Sequence, residues 1–524
     1  MTIVGRVAER MLEGLWLAAV VFTPLFFNVY SSRVFEPDKV ALFRSLMFFA
    51  ALCWLVKLIE RRSYRPGEGE VFAEQPKGEQ WWRRPLLIPL LLLAGWLLVA
   101  SLAGVNPGLS IFGSYQRAGG AISDWSYIFL AIVLLGNLRT RAQVERLITF
   151  AIASGVPVVL YGYLQHYGAD PLPWAGDVSQ QTSSTFGNST YHAAWLILLL
   201  PLVLYRAATL WRRMQTEPLE RNSGDSLRLL GYSLVAVAQS LILWFALLLV
   251  AANQRPDFGL WFIMPVAILL FYLLNFIYGT TSPRSWLLTL AQLVVMIGLL
   301  PALLLAIYFT GSPVPLVAGL VWIGCFFGLA FLSQSQRGLA ISSGVLAVAA
   351  VGVFVANLPA QFSGGTRWES KWLIWQGALD LLAHSSPLRL LLGHGPETTY
   401  LIYPPYYPVA LSHLASRNST PDRSHSAYLE MLLNGGLPLL LLYLLLVGTF
   451  LWHAWRLALA STTFERRMLL AALVAGVAAY LIQIATLYPV ASTVVYLYTY
   501  LAIAIASYYV PEREEAIVEG PQAG

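Results

Sequence analysis

The sequence predicts an all-α polytopic membrane protein, and three observations carry that prediction. Hydrophobic residues make up 57% of the 524 and charged residues only 11%. Mean hydropathy is +0.64. Apolar runs of roughly 20 residues, the length of one bilayer crossing, recur along almost the whole chain. A soluble domain is typically about 25% charged, so soluble-enzyme and nucleic-acid readings fall away. The net charge of +6 does not revive a nucleic-acid partner, because basic residues concentrate in the cytoplasmic loops of membrane proteins. Cys53 and Cys325 lie inside apolar runs, which leaves no disulfide framework and no thiolate metal site. The first apolar run lacks a small-residue cleavage site and reads as a retained helix.

Taken in order, fourteen spans are expected, at about 13–30, 40–59, 85–104, 123–138, 146–166, 191–211, 229–252, 258–279, 286–309, 313–332, 338–358, 426–452, 467–488 and 491–509. An even number returns the C-terminus to the side of the N-terminus. With the N-terminus inside, 23 of the 33 Lys and Arg fall on the inner side and 10 on the outer, the bias expected of a correct orientation. The chain divides accordingly into a transmembrane bundle (1–358, with a cytoplasmic linker at 60–84), an outer loop (359–425), C-terminal transmembrane helices (426–510) and a cytoplasmic tail (511–524). No internal repeat is visible.

The segment 359–425 is the only expected extramembrane stretch large enough to build a site, and it is too rich in Trp, Tyr and Leu to be disordered. Within it Trp368, Trp372, Trp375, Leu379 and Leu382 recur at helical spacing and predict an amphipathic helix in the outer interface, where tryptophan suits the headgroup layer. Packing on the bundle is the plainer use of the same stripe.

Six of the seven histidines (His166, His192, His384, His394, His413 and His425) fall at the expected outer face, where an ordinary pKa of about 6.5 makes each a potential proton acceptor. His425 stands out, in PDRSHSAY where the long loop re-enters the membrane; on position alone an interfacial or capping histidine is the commoner outcome. His394 and Glu397 form only an HxxE pattern, a weak metal signal, so no metal or other cofactor is expected. Arg255 interrupts the apolar pattern in AANQRPDFG, and a guanidinium at that depth demands a cavity and an anion. The planar fork of arginine matches phosphate oxygens, and several outer arginines would form a diphosphate clamp. For Arg33 and Arg389, snorkelling to lipid headgroups is the favoured reading.

The stretches RWESKWLIWQGALDLL, PLRLLLGHGPETTY and PDRSHSAYLEMLLNGGLPLLLLYLLL resemble the signature region of the O-antigen ligase and polymerase superfamily, bacterial membrane glycosyltransferases of the GT-C type. SIFGSYQRAGG and SSTFGNSTYHAAWLILLLPL upstream are similar to that family's early outer-loop motifs. The sequence has Asn188-Ser189-Thr190 where the family has an Asn-Pro-Asn-like turn, and Ser426 where asparagine often follows the motif histidine. The resemblance implies metal-independent transfer of a glycan from a polyprenyl diphosphate carrier to an acceptor hydroxyl, on the outer face of a bacterial plasma membrane. The acceptor would be a lipid core for a ligase or a second lipid-linked glycan for a polymerase. His425 would activate the acceptor and Arg367 would be the loop arginine of the family. Arg255 and Arg367, helped by Arg117 and Arg423, are therefore expected to bind the diphosphate, and attack by one hydroxyl at the anomeric carbon should invert configuration. SQSQRG at 333–338 also resembles the family's Ser-Arg-Gly element, but the span count puts Arg337 on the inner side, away from the donor. A glycolipid transporter is the reading from another class, disfavoured because no paired repeats or mid-depth acids stand out.

Overall fold

The computed structural model describes residues 3–31, 33–63, 83–170, 172, 174, 177–216, 286–332, 337, 339–345, 348–349, 352, 367–414 and 420–510. Among these, every regular element is helical: α1 (Ile3–Leu25), α2 (Glu36–Ser63), α3 (Leu87–Leu102), α4 (Pro107–Phe112), α5 (Ala121–Asn137), α6 (Arg141–His166), α7 (Ser189–Thr216), α8 (Trp286–Phe309), α9 (Pro313–Leu332), α10 (Arg367–Ala383), α11 (Pro387–Leu392), α12 (Thr399–Ile402), α13 (Ala427–Ala460), α14 (Phe464–Ile484) and α15 (Ala491–Tyr509), with short 3₁₀ turns. Seven of them, α2, α6, α7, α8, α13, α14 and α15, are long and apolar enough to cross a membrane; α3, α5 and part of α9 are shorter apolar helices. The spans expected at 229–252 and 258–279, about half of that at 338–358, the tail 511–524 and residues 64–82 of the linker lie outside the described residues.

Helix boundaries depart from the expectation where side-chain partners extend them. The charged start of α1 is helical because Glu9 and Glu13 pair with Lys57 of α2 and Arg146 of α6. α2 runs past residue 60 to Ser63, into the segment expected as linker.

The helices alternate in direction, so the bundle has two ends. One collects the C-terminal ends of α1, α3, α6 and α8 and the starts of α2, α5, α7 and α15. There Ser492 meets Thr23, Lys39 meets Thr185, Ala103 meets Arg389 and Thr182 meets Phe309. The other collects Glu9, Glu13, Arg146 and Arg206. The centre is α15, buried along most of its length against α1, α5, α7 and α14. Its tyrosines keep their hydroxyls bonded inside the apolar bundle: Tyr496 to Ser154 at 2.8 Å, Tyr500 to the Leu198 carbonyl.

Of the long loop, α10 packs Ile374, Ala378 and Leu381 against Tyr403, Leu411 and Leu433. The expected stripe is shifted: Trp372 and Leu379 are 41% and 49% exposed. The reason is Tyr403, which docks over Gly377, where a Cβ would collide with it, and donates to the Ile374 carbonyl at 3.1 Å. The tertiary partner, rather than the row of tryptophans, chooses the buried face.

α13 kinks at Gly435 (φ −135°, ψ 15°) and Gly436 (φ 67°, ψ −171°), with Pro438 just beyond. A break frees carbonyls that must find donors in an apolar surrounding. Leu433 and Asn434 accept from the His394 and Gly395 N–H groups at 2.7 and 2.9 Å, and Gly435 accepts from Trp96 at 2.7 Å. Gly436 leaves room for the Leu390 and Leu391 carbonyls, which a Cβ there would strike. GHG at 393–395 is thereby locked to NGG at 434–436 backbone to backbone, and this contact fixes the loop above the bundle.

Candidate functional site

Four segments far apart in sequence converge at one end of the bundle: the loop 113–120, the turn 394–399, the turn 421–426 and the α14–α15 connection. Glu397 ties the first two to the third. It accepts from Ser114 N at 3.2 Å, from the Ser114 hydroxyl, from Gly119 N at 3.1 Å and from the Arg423 guanidinium. Arg423 also reaches Glu430 at 3.2 Å. Glu430, in the first turn of α13, accepts from Ser424 N at 2.8 Å, the Ser424 hydroxyl at 2.9 Å and Thr399 at 3.0 Å. From the membrane side Arg44 of α2 holds the loop 113–120 by donating to the Phe112 and Ala118 carbonyls and to Ser123.

His425 is the product of this scaffold. Ser424 is pinned to Glu430 and Ala427 N donates to the Leu487 carbonyl at 3.0 Å, so His425 between them takes φ +55°. That left-handed conformation is uncommon outside glycine and marks a backbone held by its surroundings. Its ring lies 5.8 Å from that of Tyr488. Burial first, then the like charges of Lys371, Arg117 and Arg423, push its pKa down to about 4 against the opposing pull of Asp422. It is therefore neutral at physiological pH, the form that accepts a proton.

Arg117 pairs with Asp422 at 2.8 Å and its guanidinium stacks over Tyr488, 5.1 Å from the ring centre. Burial raises the Asp422 carboxyl, but Arg117 outweighs it and holds the group below the usual carboxylate range. Two cavities meet at Arg117 and Glu36. The outer one, about 440 Å³, holds Arg33, Gln116, Tyr191 and His425 on its walls. The inner one, about 160 Å³, runs down between α2, α3, α5 and α13–α15 beneath Arg423 and Tyr488.

The structure thus brings together His425, Arg117 and Arg423 of the sequence-predicted set. Arg255 lies outside the described residues, and Arg367 opens α10 with its side chain outside them. Arg337 is exposed and comes five residues beyond the far end of α9, which leads away from the His425 end. His394 and Glu397 are engaged separately: His394 Nδ1 lies 3.3 Å from the Leu433 carbonyl, while Glu397 holds Arg423. Arg389, expected at lipid headgroups, instead donates to the Ala103 and Gly393 carbonyls at 2.8 and 3.2 Å. Sequence reading missed Arg44, Glu430 and Tyr488. Arg44 and Glu430 each carried a signal, an ionised side chain inside an apolar run; Tyr488 is one of 26 tyrosines and carried none.

Residues 268–444 match the model of the family described as O-antigen ligase, and that match supports the likeness to the O-antigen ligase superfamily read from the sequence. The matched stretch includes His425, Arg423 and Glu397 and excludes Arg117. No curated protein matches the chain.

Proposed function

We propose that this multi-pass membrane protein moves a glycan from a polyprenyl diphosphate carrier to an acceptor hydroxyl, on a lipid or another glycan, at the outer face of a bacterial plasma membrane. The observation that carries the reading is the outer cavity, in which a neutral, half-buried histidine and a fixed guanidinium from positions 425 and 117 face one space. The family match supports the same class of chemistry.

In this mechanism the acceptor O–H gives its proton to His425 as its oxygen bonds to the anomeric carbon. The bond from that carbon to the diphosphate oxygen breaks, the electron pair leaves with the diphosphate, and the new linkage has inverted configuration. Arg117, oriented by Asp422 and Tyr488, stabilises the departing charge. Arg255 and Arg367 are proposed as further diphosphate contacts. Arg423 contributes charge at the neck, but its hydrogen bonds to Glu397 and Glu430 make it first a scaffold for the turn that carries His425.

The deciding experiment supplies purified protein in nanodiscs with a polyprenyl diphosphate glycan and candidate acceptors. The expected result is glycan on the acceptor with release of polyprenyl diphosphate. Movement of the intact glycolipid across vesicles, with no transfer to any acceptor, would mean a transporter instead. Orientation is tested in cells: a cysteine at Gln376 should react with an impermeant thiol reagent and one at Arg213 should not.

A further inference from the structure

The outer cavity is lined by residues of two kinds. Arg117 and His425 take the diphosphate and the acceptor proton. Phe35, Trp174, Gln116 and Asn188 line the same cavity and have no part in those steps. Phe35 and Trp174 are half-buried, and their rings pack together with centres 5.2 Å apart. Both are held in place. Trp174, in the connection between α6 and α7, donates its indole N–H to Asp170 at 2.7 Å, and Asp170 also accepts from the Tyr161 hydroxyl at 3.0 Å. Phe35 stacks on Phe27, 6.0 Å away, and lies against Gly187 (φ 68°), where a Cβ would collide with its ring. Tryptophan near a bilayer surface ordinarily meets the headgroups, but Trp174 packs on Phe27 and Phe35 inside the protein. Gln116 and Asn188 are exposed. Asn188 Oδ1 accepts from Thr190 N at 2.8 Å at the start of α7, which leaves its amide nitrogen as a donor.

Aromatic rings beside amides select among the parts of a glycolipid. The face of an aromatic ring is negative and repels a phosphate. A prenyl chain would cover the rings but strip water from both amides and from Arg33, which lines the same cavity. A sugar ring suits both: its C–H groups carry slight positive charge toward the aromatic faces, and its hydroxyls donate to and accept from amides. The volume, about 440 Å³, lies within the roughly 300–1,000 Å³ of small-ligand sites and has room for a sugar beside a diphosphate. We infer that Phe35, Trp174, Gln116 and Asn188 form a subsite that seats one uncharged sugar unit of a glycan substrate in the cavity of Arg117 and His425. The inference rests on the glycosyl-transfer reading above. The sugar belongs either to the donor, next to its diphosphate, or to the end of the acceptor.

The test uses the full chain in nanodiscs and three measurements: binding of glycan-free polyprenyl diphosphate, and KM for the lipid-linked glycan and for the acceptor. Trp174→Phe and Trp174→Leu both lose the indole N–H, so the difference between them reads the aromatic face. Trp174→Leu should have one glycan KM about 3- to 10-fold above that of Trp174→Phe, and Gln116→Ala, at an exposed position, should raise the same KM by a similar factor over wild type. Polyprenyl diphosphate binding should stay unchanged in all three. A rise in donor KM assigns the donor sugar; a rise in acceptor KM assigns the acceptor sugar. If Trp174→Leu matches Trp174→Phe and Gln116→Ala matches wild type in both KM values, the rings only pack the loop and the inference fails. Weakened binding of glycan-free polyprenyl diphosphate in Trp174→Leu and Gln116→Ala would make the wall a lipid or phosphate site and overturn the inference equally. Wild-type protein that neither binds polyprenyl diphosphate nor transfers glycan would sink the functional reading itself, and wild type alone reveals that.

Discussion

The two ends of the bundle use the same residue types for different purposes. At the end remote from His425, Lys57 bridges Glu9 and Asn137, Arg146 pairs with Glu13, and Arg206 pairs with Glu145, which also accepts from Tyr205. Each of these pairs joins neighbouring helices. At the His425 end the charges of Arg117, Asp422, Glu397, Arg423 and Glu430 draw separate segments together beside two cavities. Among the described residues, the four non-glycine positions with positive φ, Ala118, Ser184, Glu397 and His425, all lie at this end. Backbone strain together with the cavities marks the end built to receive something, whereas the other end holds helices through separate ion pairs.

The largest expected difference is catalytic. His425→Ala should lower transfer by about 10²–10⁴-fold, the usual cost of a positioned base, with the protein still folded in the membrane; near-normal turnover would remove His425 from the mechanism and direct attention to the exposed His413. Arg117→Lys keeps the charge and loses the fork, so donor use should fall by roughly 10- to 100-fold through loss of charge-assisted hydrogen bonds. Arg255→Lys should behave similarly if it meets the diphosphate. The matched change at the other end, Arg337→Lys, should alter transfer by less than about twofold, and an equal loss there would erase the distinction between the ends.

Stability separates the ends less widely. Glu397→Gln leaves Arg423 buried with one carboxylate and should cost about 3–5 kcal/mol, read as a lowered unfolding midpoint. Glu9→Gln, at a residue whose side chain is 40% exposed, should cost no more than about 1 kcal/mol. Equal costs would mean that the network around Arg423 is no more cooperative than a surface pair.

The finest probe is pH. His425 must be neutral to accept a proton, and its pKa is lowered to about 4, first by burial and then by Lys371. Activity should hold as pH drops from 7 to about 5 and fail only as it passes through 4, as seen in kcat/KM for an acid-stable donor. Lys371→Met should move that limb upward by removing a like charge. A wild-type limb near 6.5 would instead describe a solvated histidine and contradict the closed site.

Much of this was legible in the sequence. The apolar runs named the helices, the even spacing of direction followed from them, and His425 stood out because PDRSHSAY sits where a polar loop meets an apolar span. The α10 helix was also legible, but not its buried face, because the choice among Ile374, Trp375 and Ala378 depended on Tyr403 docking over Gly377. Glu397 read as half of a weak metal pattern and proved to be the partner of Arg423, Ser114 and Gly119.

What the sequence determined by itself was local and periodic: which segments are apolar for some 20 residues, and which ionisable groups interrupt them at a cost that demands a partner. Which partner each one finds was decided only by the tertiary structure. Arg117 and Asp422 are 305 residues apart in the chain and Ser114 and Glu397 are 283 apart; no spacing rule links such pairs. They meet because the kink of α13 accepts the backbone of residues 393–395 and so carries the long loop over the helix ends. Ion pairs and cavity walls of this kind depend on distances of a few ångströms between elements, and packing alone sets those distances.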